Sequence, residues 1–170
     1  MMRERYLRTL RALVECYQAF ERYSARHLRE LGLTPPQFDI VATLGNTSGM
    51  TFRELGEKTL ITKGTLTGVI DRLEARGLVK RVQSREDARS TIVRLTRKGE
   101  AEFARCFPAH VLHLKGVFGT LSEAELQGLE ATLGSLQRRF AAGLAAAAGA
   151  AATGTARWPL IAERTITSSP

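Results

Sequence analysis

Thiol and imidazole side chains recur at helical spacing in one stretch of the chain, at Cys106, His110 and His113. Steps of four and then three residues place all three on one face of a helix. Thiolate and imidazole are good zinc ligands, so the first chemistry that this pattern offers is metal binding. The same face also borders apolar residues of the helix. We therefore favour packing at the edge of a core and predict no metal or cofactor site.

Basic side chains are concentrated between residues 72 and 98, where nine Lys or Arg accompany three Asp or Glu. The net charge of this stretch is +6 (nine minus three), against +8 for the whole chain of 170 residues, whose pI is about 10.2. Arg85, Asp87 and Arg89 lie in its middle. A run of charge is often only a solvated surface, but this concentration favours contact with phosphate groups.

Two short helices must position these side chains. Thr51 and Glu54 have the spacing of a capping box, which predicts a helix over residues 52–60. A second helix is predicted over residues 63–76, with Gly77 as its left-handed stop. Its apolar residues recur at intervals of three and four, which predicts one buried stripe. They are Leu66, Val69, Ile70 and Leu73.

The opposite face of the second helix is small and polar. It carries Gly64, Gly68, Asp71, Arg72 and Ala75, flanked by Thr65 and Thr67. Each glycine costs a helix roughly 1 kcal/mol relative to alanine, so some gain should offset it. Close approach of the helix backbone to the wall of a DNA major groove is one explanation. Relief of crowding against a neighbouring helix is the other.

Two extended segments follow Gly77, at residues 78–82 and 91–95, and both are rich in β-branched residues. They should pair antiparallel, with the charged stretch around Asp87 as the tip. Helix, helix, strand, charged tip and strand is the order of a winged helix-turn-helix. The predicted fold class is therefore mainly α with a small antiparallel β-wing.

Six short segments resemble the MarR family of bacterial transcriptional regulators. They read LTPPQF (33–38), LGEK (55–58), GTLT (64–67), LEARGLV (73–79), DARS (87–90) and LTRKG (95–99). As an ordered set they are highly specific, and the resemblance covers residues 7–140. It implies a homodimer in which the first and the last two helices interlock, with two winged units below and effector molecules bound between.

Apolar stripes at both ends of the chain agree with a dimer. The first stripe comprises Leu7, Leu10, Val14, Tyr17, Phe20, Leu28 and Leu31, and the last comprises Leu126, Leu129, Leu133, Leu136 and Phe140. Burial within one chain is the alternative for each stripe. We predict a dimerisation helix (1–33), a winged helix-turn-helix region (34–99), C-terminal dimerisation helices (100–143) and an Ala-rich extension with a tail (144–170).

The resemblance also implies which residues contact double-stranded DNA. The residues at the start of the second helix would supply hydrogen bonds to phosphates and base edges, Arg72 would lie near the backbone, Arg89 would enter the minor groove braced by Asp87, and Arg85 would contact phosphate. The predicted DNA-binding set is Thr62, Lys63, Thr65, Thr67, Arg72, Arg85, Asp87 and Arg89. A local ion pair in the turn is the alternative for Asp87 and Arg89.

The effector is much less defined by the sequence. Resemblance to the family makes a small aromatic effector the default expectation. Candidate walls are Tyr17, Phe20, Phe38, His110 and His113, although helical aromatic residues are more often core, and no ligand-binding residue is assigned. Peroxide sensors of the family use a cysteine nearer the start of the first helix than Cys16, so oxidation sensing is not favoured. Both cysteines are expected to be free thiols in a cytoplasmic protein, because no signal or transmembrane segment is evident.

The favoured function is a ligand-responsive repressor that binds a pseudo-palindromic operator as a homodimer. The alternative is a winged-helix module that binds protein instead of DNA, which would not require a basic wing with the Asp-x-Arg pattern. An enzyme is not expected, because no nucleophile and base set, phosphate loop or complete catalytic metal motif is recognisable.

Overall fold

The computed structural model describes residues 5–59, 61, 63–83 and 90–152. The chain divides into two compact units, Met1–Thr120 and Leu121–Pro170. The elements of the first unit are α1 (Arg5–Glu30), α2 (Pro35–Leu44), β1 (Met50–Thr51), α3 (Phe52–Lys58), α4 (Lys63–Ala75), β2 (Val79–Gln83), β3 (Thr91–Leu95) and α5 (Arg97–Phe118), and the second unit contains α6 (Glu123–Ala152).

The helix α3 begins where the capping box predicts. The Thr51 hydroxyl accepts from the backbone N–H of Glu54 at 3.2 Å, and the Glu54 carboxylate accepts from the backbone N–H of Thr51 at 2.7 Å. These bonds satisfy donors that the first helical turn leaves free. The helix ends at Lys58, two residues before the predicted end, and α4 ends at Ala75, one residue early. The predicted N-cap of α4, Thr62, lies outside the described residues.

The sheet has three antiparallel strands in the order β1-β3-β2. The wing pairs Val79 with Leu95 at its base and Gln83 with Thr91 toward its tip. The predicted hairpin is confirmed, with the first strand one residue later than expected. Strand β1, which the sequence did not suggest, adds a third strand through the pairs Met50 with Val93 and Thr51 with Ile92.

The core of the first unit lies where α2, α3 and α4 meet the sheet. Ile40, Leu55, Ile70, Leu73 and Val93 are completely buried. A buried side chain of this size contributes about 1.5–3 kcal/mol, so these contacts fix the two short helices against the wing. The predicted stripe of α4 is confirmed, since all four of its residues are buried.

Helix α5 starts very close to the wing. An ideal Cβ on Gly99 would lie 1.9 Å from the carbonyl oxygen of Leu78, so only glycine fits at this contact. Helix α5 then continues through Pro108 to Phe118. Helix α1 packs on α5 only with its C-terminal part, where Ser24 and Leu28 are buried.

In the second unit, α6 starts from the predicted Ser122 cap, whose backbone N–H donates to Glu125 at 2.8 Å. The helix continues through the alanine-rich stretch to Ala152. Its apolar stripe is not covered: Leu133 and Phe140 are 54% and 55% exposed. The aromatic and aliphatic residues of the tail, from Trp158 onward, lie outside the described residues.

Candidate nucleic-acid interface

Helix α4 is held by its buried stripe and stopped by a Schellman motif. Gly77 has a φ of 69°, in the left-handed region. Its N–H donates to the carbonyl oxygen of Glu74 at 2.8 Å, and the N–H of Leu78 donates to that of Leu73 at 2.9 Å. The helix therefore ends sharply at the wing, and its polar face is directed away from the core.

That polar face is open. Gly64, Asp71, Arg72 and Ala75 are exposed. An ideal Cβ on Gly64 would meet no atom within 4 Å, and one on Gly68 would approach only the Arg72 guanidinium, at 3.6 Å. In the described part of the chain, neither glycine relieves crowding against a neighbouring helix. Of the two explanations for the glycines, close approach of the helix backbone to an external surface is therefore the one that agrees with the packing.

Arg81 joins the wing to α4. Its guanidinium donates to Asp71 at 2.5 Å and to Glu74, and its backbone N–H donates to Glu74 at 3.2 Å. The guanidinium also lies 5.5 Å from the ring centre of Phe52. The hydrogen bond to Asp71 is the main reason that the pKa of Arg81 is raised. We call the set Phe52, Asp71, Glu74 and Arg81 the arginine clamp.

The arginine clamp reduces the free positive charge that the sequence suggests for the basic stretch. Arg81 contributes to the +6 of the basic stretch, but two carboxylates of α4 neutralise it. The sequence analysis missed this role. Its signal was the spacing of Asp71 and Glu74, which places two acids on one edge of the helix that the wing follows.

The outer face of the wing carries an unbalanced pair of cations. Lys80 and Arg94 are both exposed and directly opposite each other in the register. Like charges at directly opposed positions destabilise a sheet by a fraction of a kcal/mol, roughly 0.2–1. The wing therefore retains positive charge that no cross-strand acid offsets.

The structure describes only part of the predicted DNA-binding set. Thr65 and Thr67 are exposed on opposite flanks of the polar face, and Arg72 is exposed on that face. Lys63 is the first residue of α4, and its side chain is not described. The remaining four, Thr62, Arg85, Asp87 and Arg89, lie outside the described residues, so their contacts stay predictions.

Comparison with known proteins identifies the family. The model of the MarR family matches residues 31–90. The HTH-type transcriptional regulator YkoM of Bacillus subtilis, itself uncharacterised, is 30% identical over 122 residues, which cover 72% of this chain and 79% of that protein. This chain belongs to the MarR family of transcriptional regulators. The regulator MhqR of the same organism is 29% identical over 126 residues, covering 74% of this chain and 87% of its own length.

A solved MarR-family structure was determined with DNA bound. The regulator Sco3205 from Streptomyces coelicolor, in complex with DNA, superposes with a TM-score of 0.71 and 26% identity, covering 85% of this chain and 89% of its own. The winged helix-turn-helix prediction is confirmed by this likeness. The expectation of a regulator in place of an enzyme is also confirmed, because the relatives are transcription regulators.

The thiol and the two imidazoles of α5 have different surroundings in the structure. Among the described residues, no group of three or more His, Cys, Asp or Glu is arranged to hold a metal ion. His110 instead contacts Ser24 and His27 of α1. Burial raises the pKa of the Cys106 thiol, which lowers its reactivity. The sequence analysis missed the third histidine, His27, because it lies 83 residues away on another helix.

A groove of about 660 Å³ is open to solvent and lies between the start of α3 and the wing, lined by residues that include Phe52 and Thr91. None of the predicted effector walls lines this groove. Phe38 and His110 meet each other edge to face, with ring centres 4.8 Å apart. None of the described helices has both the length and the apolar composition that a membrane span requires.

Proposed function

We propose that this MarR-family regulator binds a pseudo-palindromic operator in double-stranded DNA as a homodimer and represses transcription in response to a small aromatic effector in the cytoplasm. The open glycine face of α4 is the observation that carries the proposal. A helix in the major groove needs close contact between its backbone and the groove wall, and side chains at Gly64 and Gly68 would keep the two apart.

Hydrogen-bonding and basic side chains surround this face. Thr65, Thr67 and Arg72 are placed to contact base edges and phosphates, and the predicted contacts of Thr62 and Lys63 extend the set to the start of α4. Arg85 and Arg89, with Asp87 as a brace, would follow the minor groove from the tip of the wing. The DNA-bound structure of Sco3205 supports this assignment, since the two chains share fold and family.

The uncovered apolar stripes support a homodimer. On α1, the residues from Leu7 to Phe20 that form the stripe are between 44% and 57% exposed, and on α5 Leu112 is 70% exposed. On α6, Leu144 is 74% exposed. Apolar surface of this extent is typical of an interaction site, and a second copy of the chain offers the same stripes.

Repression is the effect on transcription that we propose for operator binding. An effector would act by favouring a spacing of the two winged units that no longer matches successive major grooves.

The test is fluorescence anisotropy with duplexes from the region upstream of the protein's own gene, against unrelated duplexes, at two salt concentrations. We expect selective binding that weakens steeply with salt, and a dimer by analytical ultracentrifugation. Binding that is weak or independent of salt would favour the protein-interaction module instead.

A pair of glycine variants tests the role of the open face. Gly64→Gln adds a side chain where no atom lies within 4 Å, so the fold should tolerate it and α4 should gain about 0.5–1 kcal/mol of helix propensity. Operator affinity should nevertheless fall at least tenfold. Gly128→Gln on α6 is the matched control, because its Cβ also meets no atom within 4 Å. It should gain stability and keep operator affinity. Equal affinities for the two variants would contradict the assignment.

A further inference from the structure

All three histidines of the chain meet at one junction between α1 and α5. We call His27, His110 and His113 the histidine cluster. His27 Nδ1 lies 3.0 Å from His110 Nδ1, and the rings of His27 and His113 stack with centres 4.1 Å apart and planes 5° apart. His110 is 3% exposed. His27 and His110 lie 83 positions apart in sequence, so their contact is a tertiary feature of the first unit.

The bonds of His110 are complete when the rings are neutral. A neutral imidazole has one N–H and one acceptor nitrogen. One proton therefore suffices between the two Nδ1 atoms, and the other nitrogen of His110, Nε2, bonds the Ser24 hydroxyl at 3.1 Å in either direction. If His27 and His110 were both protonated, two N–H groups would face each other across 3.0 Å. The pair cannot take up two protons and keep this contact.

His113 adds a second close contact to the junction. Its Nε2 is buried and has no hydrogen-bond partner in the described part of the chain. The ring stacks on His27 and on Tyr23, with centres 4.1 Å and 4.2 Å apart. The junction therefore holds a buried polar atom whose loss of water no hydrogen bond offsets.

The groups that shift the pKa of His110 include no acid that would stabilise its protonated form. Burial lowers the pKa of His110, and the positive charges of His27 and His113 lower it further. Helix α2 contributes the uncharged ring of Phe38. Tyr23 of α1 stacks on His113, and Cys106, one turn before His110 on α5, interacts with Glu102 and Arg105.

The cluster lies where the two helices leave the winged unit. On α1, Ser24 and Leu28 are buried, whereas Phe20, one turn earlier, is 44% exposed. On α5, His110 is buried and Val117, two turns later, is 48% exposed. The histidine cluster therefore lies between the core of the winged unit and the exposed stripes assigned to the dimer.

We propose that the histidine cluster is a pH-responsive latch, which closes the α1–α5 junction when its rings are neutral and loosens it on protonation, so that operator binding weakens at acid pH. The second half of this proposal rests on the proposed function. Loosening the junction changes the direction in which α1 and α5 leave the winged unit. In the proposed dimer this changes the spacing of the two α4 helices.

The sign of the pH dependence follows from the lowered pKa of His110. In the unfolded chain the imidazole of His110 takes up a proton near the ordinary histidine pKa of 6.5, whereas in the folded chain it does so only at lower pH. Its contribution to stability is therefore complete above about pH 6.5 and falls as the pH drops below it, by up to about tenfold in the folding equilibrium constant per pH unit.

The first experiment is an NMR titration of the histidine ring signals of the full chain from pH 8 to pH 4.5. Because the chain has no other histidine, every such signal reports on the cluster. We expect at least one ring to stay neutral well below pH 6.5, together with a falling folding equilibrium constant in urea titrations. Three independent rings with ordinary midpoints and a flat stability profile would overturn the latch.

The second experiment compares the wild type with His113→Phe, which keeps a stacking ring and removes the buried Nε2. The variant should fold and show a shallower loss of stability between pH 7 and pH 5. His110→Gln serves as a second variant and should also show a shallower loss of stability, because it removes the buried ring whose pKa is lowered. Wild-type and His113→Phe profiles that coincide would also overturn the latch.

Operator binding is measured at pH 7.5 and pH 5.5 at constant ionic strength. Added positive charge alone would tighten DNA binding at the lower pH. We expect the opposite, a wild-type Kd that rises about tenfold, with a smaller rise for His113→Phe. The same change in both proteins overturns the coupling to DNA. Absence of selective binding already at pH 7.5 overturns the proposed function instead, and the stability and NMR profiles still decide whether the latch exists.

Discussion

Replacement of Arg81 by methionine tests whether the arginine clamp positions α4. Methionine keeps an unbranched side chain that can lie on the ring of Phe52, but it has no charge and no strong donor. The variant therefore removes the bonds to Asp71 and Glu74 and leaves the apolar part of the contact in place.

The size of the effect depends on how far water screens these bonds. Hydrogen bonds to charged groups contribute about 1.5–3 kcal/mol when shielded, and exposed ion pairs contribute about 0–1 kcal/mol. The side chains of Arg81, Glu74 and Asp71 are 30%, 37% and 56% exposed, so the clamp lies between these limits. We expect the free energy of unfolding to fall by about 1–2 kcal/mol, which lowers Tm by roughly 3–6 °C.

DNA affinity should fall as well, although Arg81 need not touch DNA. The variant leaves two unpaired carboxylates on α4, and each costs about 0.4 kcal/mol at roughly 10 Å from a phosphate in water. Together they raise the operator Kd about fourfold. The dependence of log Kd on log salt should keep its slope, whereas loss of a direct phosphate contact reduces the slope by about 0.9.

Urea unfolding and anisotropy at several salt concentrations measure both effects. The matched control combines Arg81→Met with Asp71→Asn and Glu74→Gln, which should restore the affinity while the stability stays low. An unchanged free energy of unfolding, or a salt slope that falls by about one, would refute the assignment of Arg81 as a clamp.

Three further predictions concern the wing and the thiols. Lys80→Glu places an acid opposite Arg94 and should raise the free energy of unfolding by about 0.2–1 kcal/mol in urea titrations, an effect that high salt should remove. Gly99→Ala should lower it by more than about 2 kcal/mol, because its Cβ would overlap a backbone carbonyl of the wing base; an unchanged thermal midpoint would contradict this contact. With a thiol reagent, exposed Cys16 should react in the native protein and buried Cys106 only on unfolding; equal rates would refute the burial of Cys106.

The parts of the fold that the sequence predicted are those with local causes. The capping box at Thr51, the apolar stripe of α4 and the stop at Gly77 each depend on residues within a few positions of one another. Helical spacing and cap chemistry act over that distance, so the positions of α3 and α4 were predicted to within two residues.

The parts that the sequence did not predict depend on contacts between distant segments. Strand β1 is two residues long, too short for an alternating pattern, and exists because β3 pairs with it. The neutralisation of Arg81 needs the register of the wing against α4, and the meeting of His27 with His110 needs the packing of α1 on α5. Local spacing places Asp71 and Glu74 on one edge of α4, but it does not show which distant residue meets them. Within the candidate site, periodicity predicted the glycine face of α4. That this face is open to solvent could be learned only from the packing around it.

Thr51 belongs to two elements at once, and this limits how the reading unit can move. Its backbone pairs with Ile92 in the sheet, while its hydroxyl and N–H cap α3. The sheet of the wing and helix α3 are therefore connected directly through Thr51. Opening the sheet at this edge would release the cap in the same event, so the two elements should behave as one cooperative unit in amide hydrogen exchange. A force applied to the wing by DNA would reach α3 directly through this residue, with no flexible linker to absorb it.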